Sequence, residues 1–97
     1  MKYEMMVVLT EEFSNTELKF WAFNLGKALK RLNAKDISLV SRGKRELNYI
    51  IKSKNRGNFI QVNFDILPDY IKQLSKDLTS DTNVLRFLVF NINNSQK

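Results

Sequence analysis

Apolar and polar positions alternate with period two along Lys2–Thr10, where Tyr3, Met5, Val7 and Leu9 form one face and Glu4, Met6 and Val8 the other. Beyond Glu4 both faces are apolar, as in a strand flanked by neighbours on each side. The period then changes. Ser14-Asn15-Thr16-Glu17 is a capping-box pattern, and Leu18, Ala22, Leu25, Leu29 and Leu32 follow at alternating spacings of four and three, the stripe of an amphipathic helix. Phe20 and Phe23 lie off this stripe and are expected to pack against strand ends. Alternation returns from Lys35 to Lys52, with a bulge or bend expected at Gly43. Lys54-Asn55-Arg56-Gly57 has the composition of a hairpin turn, and Asn58–Ile66 reads as a third strand with Ile60, Val62, Phe64 and Ile66 facing inward. Pro68 suits the first turn of a short helix marked by Ile71, Leu74 and Leu78. Val84–Ile92 is the last strand, with Leu85, Phe87 and Val89 on one face and Arg86, Leu88 and Phe90 on the other.

The order β-α-β-β-α-β in 97 residues, with right-handed crossovers, predicts an α+β, ferredoxin-like domain. Its four-stranded antiparallel sheet carries both helices on one face, with the first and third strands central. The domain is expected to span residues 1–92, and residues 93–97 to form a short polar tail.

Charge sharpens the picture. The net charge is +6, and the whole excess falls between Arg31 and Arg56, where Arg31, Lys35, Arg42, Lys44, Arg45, Lys52, Lys54 and Arg56 outweigh Asp36 and Glu46. Clustered cations are the footprint of a polyanion partner, because each neutralised phosphate releases condensed counterions. A basic surface with no dedicated partner is the competing reading of charge alone. The chain has no cysteine and no histidine, which removes disulfides, Cys- or His-ligated zinc, thiol nucleophiles and imidazole bases. No apolar run approaches the ~20 residues of a membrane span, and the N-terminus reads as a strand and not as a targeting peptide. No membrane partner, small-molecule substrate, cofactor or metal is expected.

Helices cover one side of such a sheet, so the other should be polar. Here it carries Met6, Val8, Phe59, Leu88 and Phe90, an apolar patch of the kind that meets a protein. A tail or loop folded over the patch is the alternative. RNA-recognition motifs share the topology, and Arg56–Phe64 begins like their third-strand signature. Stacking, however, needs aromatic rings on the open face. Asn58 stands where the first ring belongs and only Phe59 could stack a base, which leaves contact of basic side chains with RNA shape and phosphate. Catalysis is not expected: the carboxylates are scattered, and Thr10–Thr16 lacks the glycine or arginine of a phosphate-cradling loop, which argues against an acylphosphatase-like enzyme.

Four fragments, in order and spacing, resemble the bacterial-type small-subunit ribosomal protein six family over nearly the whole chain. They are Lys2-Tyr3-Glu4, Gly43-Lys44-Arg45-Glu46-Leu47-Asn48-Tyr49, Gly57, and Asp81-Thr82-Asn83-Val84-Leu85-Arg86. The family often has Trp where this chain has Arg42, and Ala and Pro where it has Asn48 and Ile50. The resemblance implies a structural constituent of the small ribosomal subunit. It also implies binding to the central domain of small-subunit rRNA together with ribosomal protein eighteen. Lys2, the Gly43-Lys44-Arg45 turn, Tyr49 and Arg86 carry over by position. The RNA-contacting set is thus read as Lys2, Arg42, Lys44, Arg45, Lys52, Arg56 and Arg86, and the protein-contacting set as Met6, Val8, Tyr49, Phe59, Leu88 and Phe90. Abundant Asn and Lys suit an AT-rich genome, and with it a ribosome of plastid stroma or bacterial cytoplasm. A homodimeric interaction module with the same fold is the alternative function.

Overall fold

A computed structural model describes residues 1–92. The elements run β1 (Lys2–Thr10), α1 (Asn15–Arg31), β2 (Lys35–Ile51), β3 (Lys54–Asp65), a 3₁₀ turn (Pro68–Tyr70), α2 (Ile71–Ser80) and β4 (Val84–Asn91). The sheet order is β2-β3-β1-β4 with every pairing antiparallel, which makes β1 and β3 central and leaves β2 and β4 as edges, as the patterning predicts.

The inward faces build the core. Tyr3, Met5, Val7 and Leu9 of β1 and Ile60, Val62 and Phe64 of β3 pack beneath Leu25 and Leu29 of α1 and Leu74 and Leu78 of α2. Tyr3 pairs with Phe64, and their rings stack at 5.9 Å. The capping box at the start of α1 closes in both directions: the Glu17 amide donates to Ser14 Oγ at 3.2 Å, and the Ser14 amide to Glu17 Oε1 at 2.7 Å. Trp21, half-buried, ties α1 to the loop before β4 through Nε1 donating to Asp81 Oδ2 at 2.9 Å.

Two sequence expectations are corrected. The β2–β3 hairpin turns at Lys52-Ser53, both at positive φ (50° and 65°), and not at Lys54–Gly57, which lies within β3. A two-residue loop with both φ positive matches the right-handed twist of the flanking strands. Gly57 is glycine for a different reason: a Cβ there would stand 2.6 Å from Val8 Cγ1 and 3.0 Å from the Leu9 carbonyl oxygen. Phe20 and Phe23, expected against strand ends, are 67% and 65% exposed. At 100° per residue they fall on the side of α1 opposite the Leu18–Leu32 stripe, so burying the stripe turns both rings outward. Gly43 does sit in a bulge, at φ 84°, where the β2–β3 register shifts between Ser41 and Gly43. The expected tail, 93–97, lies outside the described residues.

Candidate RNA- and protein-binding face

The sheet face without helices is ordered by register. One row across the strands runs Gly43, Phe59, Val8, Arg86; the next runs Val40, Gln61, Met6, Leu88; a third runs Ser38, Asn63, Glu4, Phe90. Apolar and polar side chains therefore interleave, with Leu88 and Phe90 exposed, Met6 and Phe59 half-buried, and Val8 buried as floor. Asn63 Oδ1 is a buried acceptor with no hydrogen-bond partner among the described residues.

Three arginines are fixed over this face. Arg42, carried outward by the Gly43 bulge, donates from Nε and Nη2 to Gln61 Oε1 at 3.0 and 2.6 Å. Arg45 donates from Nε to the Arg42 carbonyl at 3.2 Å and lies 5.9 Å from the Phe59 ring centroid. Arg86 comes from the opposite edge strand and sits 5.5 Å from the Tyr49 ring. That last contact depends on an irregular stretch of β2. Glu46 pairs with Arg56 and Ile51 with Lys54, so residues 47–50 face Asn55 alone and arch over the sheet. The arch closes one end of a groove of about 380 Å³, floored by Met6, Val8, Phe59 and Leu88 and rimmed by Arg45, Tyr49 and Arg86.

The other basic residues named from the sequence lie elsewhere. Lys44 pairs with Asn58 and Arg56 with Glu46, which puts both on the side of the sheet away from the groove. Lys52 sits in the hairpin turn, where Nζ donates to the Val84 carbonyl at 3.1 Å and pins the hairpin to β4. Lys2, paired with Asp65, is at the far end of β1. The basic segment is contiguous in sequence but divides between two faces. The apolar set holds together, except that Val8 is covered. Not named as site features from the sequence were Gln61, which orients Arg42, and the arch of residues 47–50. Its only sequence signal is that β2 is longer than β3 can pair.

Two ion pairs hold the periphery. Lys54 Nζ meets Glu12 Oε2 at 2.8 Å, and their hydrogen bond lowers the Glu12 pKa and raises that of Lys54. The N-terminal ammonium meets Asp65 Oδ1 at 2.9 Å, and that hydrogen bond lowers the Asp65 pKa. Among the described residues no group of three or more acidic side chains is placed to hold a metal, and no helix is long and apolar enough to cross a membrane.

A small α+β protein with one bare, arginine-rimmed sheet face has the build of an assembly component that docks other macromolecules. Comparison with known proteins identifies the assembly: the family model described as Ribosomal protein S6 matches residues 2–91, and the chain belongs to that family. It is 58% identical to the small ribosomal subunit protein bS6c of Trieres chinensis, over 93% of this chain and 94% of that protein. Against the protein of the same name from Phaeodactylum tricornutum it is 56% identical, over 93% and 92%. The crystal structure of the 30S ribosomal protein S6 from Thermotoga maritima superposes with a TM-score of 0.87 over 98% of this chain and 91% of that one; at 19% identity it speaks for the fold alone. The chain is thus a structural protein of the small ribosomal subunit, of plastid or bacterial type, and not an enzyme.

Proposed function

We propose that the chain binds the central domain of small-subunit rRNA together with ribosomal protein eighteen, and that both contacts converge on the bare sheet face and its β2 rim. The observation that carries this is the pairing of an apolar groove with three oriented guanidinium groups, Arg42, Arg45 and Arg86. Guanidinium forks held by neighbours lose little freedom on meeting phosphate and can engage it in bidentate fashion. The groove, with Leu88 and Phe90 exposed beside it, offers a partner protein the apolar centre that a stable interface needs. Lys44 and Arg56, on the other side of the sheet, belong to a second and weaker phosphate-facing surface in this reading.

The experiment is binding to a central-domain rRNA fragment across a salt series, with and without protein eighteen. Binding should be tight only with the partner present, and Arg45→Glu/Arg86→Glu should flatten the log–log salt slope by roughly 1.5–2 units, the loss of two phosphate contacts. An unchanged slope would remove those arginines from the RNA contact. Leu88→Asp should abolish pairing with protein eighteen while the monomer stays folded; normal pairing would move the protein contact off this face.

A further inference from the structure

The outer face of α1 is used by nothing described so far. Thr16, Phe20, Phe23, Lys27 and Lys30 follow one another along it, diametrically opposite the core stripe. Phe20 and Phe23 are neighbours one turn apart and both mostly exposed, although nothing in packing the core requires rings there. Lys27 Nζ lies 5.5 Å from the Phe23 centroid, so cation and ring already share a patch. Beside Phe20 is a recess of about 430 Å³, lined by Phe13, Phe20 and Trp21 together with Thr16, Asn24 and Asn83. Its one carboxylate, Glu17, is drawn into the helix cap through Oε1 accepting from the Ser14 amide.

We infer that this face is a further RNA-contacting surface, separate from both sides of the sheet, which takes an unstacked base of single-stranded rRNA in the recess beside Phe20, stacks its neighbour on Phe23 and sets the linking phosphates against Lys27 and Lys30. Every base has a π-face, so exposed rings accept bases without regard to sequence, and lysines one or two turns away supply the phosphate charge. The carboxamides of the lining residues Asn24 and Asn83 each carry both a donor and an acceptor, as a base edge requires. Charge favours a polyanion over a neutral or basic surface, since Lys19, Lys27, Lys30 and Arg31 surround the two rings and Glu17 is the one carboxylate beside the recess. In the ribosomal setting the polyanion whose bases can fill the recess and stack on the rings is RNA. The inference rests on the ribosomal setting but not on the sheet-face contacts.

Trp21 is the chain's only tryptophan and a wall of the recess, so its fluorescence reports occupancy directly. The full chain is titrated at low salt with a mixed-sequence 12-nucleotide single-stranded RNA, read by Trp21 emission and by anisotropy of a labelled RNA. Emission should be quenched at saturation, and Phe20→Ala/Phe23→Ala should weaken binding roughly tenfold or more. Because both rings are exposed, the variant should melt with the parent. Lys27→Glu/Lys30→Glu should weaken binding more than Lys72→Glu/Lys76→Glu, an equal charge change on α2. Unaltered Trp21 emission at saturation, or an unchanged affinity for the phenylalanine variant, overturns the inference. So does a phenylalanine variant that binds RNA normally but is lost from assembled small subunits, which would assign the face to a protein. A wild-type chain that ignores the central-domain fragment while Trp21 still responds to the oligonucleotide would instead count against the sheet-face reading alone.

Discussion

The Arg86 guanidinium lies 5.5 Å from the centroid of the Tyr49 ring, and through that contact β4 and β2, the two edges of the sheet, meet over its open face. No backbone pairing joins these strands. The contact exists because β2 carries residues 47–50 without partners on β3, and the surplus arches inward. One stacked pair therefore gives the groove its closed end.

If the pair holds the arch, Tyr49→Ala and Arg86→Ala should not be additive. Cation–π contacts at exposed sites contribute about 0.5–1 kcal/mol. A double-mutant cycle in urea should return a coupling of that size, and each single variant should weaken partner binding by more than its stability loss explains. A coupling within error of zero would show that the arch is held by other contacts, such as its own backbone and the Lys52–Val84 hydrogen bond.

Gly57 and Gly26 should respond to alanine with opposite signs. A Cβ at Gly57 would meet Val8 Cγ1 at 2.6 Å and the Leu9 carbonyl oxygen at 3.0 Å, and the second of these is backbone that cannot move aside cheaply. Gly57→Ala should cost about 1–3 kcal/mol, the range for overpacking. Adding Val8→Ala should relieve the clash with the methyl only, so the double variant should be more stable than the two single losses sum to. At Gly26 a Cβ meets nothing within 4 Å, and Gly26→Ala in the helix should gain up to about 1 kcal/mol. Thermal melting suffices, since 1 kcal/mol moves a domain of this size by roughly 4–8 °C. A stable Gly57→Ala would mean that β1 and β3 separate more readily than their packing implies.

The exposed ion pairs give the stability a defined acid limb. Asp65 and Glu12 have pKa values lowered by hydrogen bonds from the N-terminal ammonium and from Lys54, so their contributions are present above the unfolded-state pKa and vanish as pH falls through the folded value. Lys54, raised by Glu12, behaves in the opposite sense: its share is present at lower pH and is lost only as pH rises through its folded pKa. Urea midpoints should thus fall below about pH 4, the ordinary carboxylate range. Asp65→Asn and Glu12→Gln should each make that fall shallower, and about 1 M salt should narrow the differences between variants. An acid limb unaltered in both variants would place the titrating groups elsewhere.

The fold was legible because its information is periodic. The stripe Leu18–Leu32 and the inward faces of β1 and β3 can each go to one place only, and the strand order follows from which strand is apolar on both sides. The site was harder to read because it depends on geometry that periodicity does not encode. Lys44 and Arg45 are adjacent in sequence and fall on opposite sides of the sheet, since a strand alternates. The Gly43 bulge was visible as a glycine, but not that it would aim Arg42 at Gln61. Lys52-Ser53 has no turn signature, whereas Lys54–Gly57 has one and is strand: Gly57 answers to the close approach of Val8, not to a positive φ. Phe20 and Phe23 could have been placed outward from the helical period alone. What argued against it was the expectation that phenylalanine is buried.

Residue 58, expected from the sequence to hold the place of the first stacking ring, faces the core instead, so the open face of β3 has only Phe59 to stack a base; Asn58 itself supplies the last prediction. It is 3% exposed on the helix-covered side of β3, and its Nδ2 donates to the Thr10 carbonyl at 2.8 Å, tying β3 to the end of β1. An aromatic ring at this position would enter the core side and not the open face. Asn58→Leu keeps the fork at Cγ, with bulkier methyls in place of the amide, and leaves the Thr10 carbonyl without this donor; a buried acceptor that loses its partner costs about 1–3 kcal/mol. The Thr10 carbonyl also accepts from the Phe13 amide at 3.4 Å, a long contact that softens the loss without replacing it. Asn58→Leu should therefore lower the unfolding free energy by about that amount, read as a lower urea midpoint at an unchanged m-value, and Asn58→Asp, which removes both amide protons, should do at least as much harm at neutral pH. If Asn58→Leu instead matches the wild type, apolar packing at this position offsets the bond, and the identity of residue 58 is not what ties β3 to the end of β1.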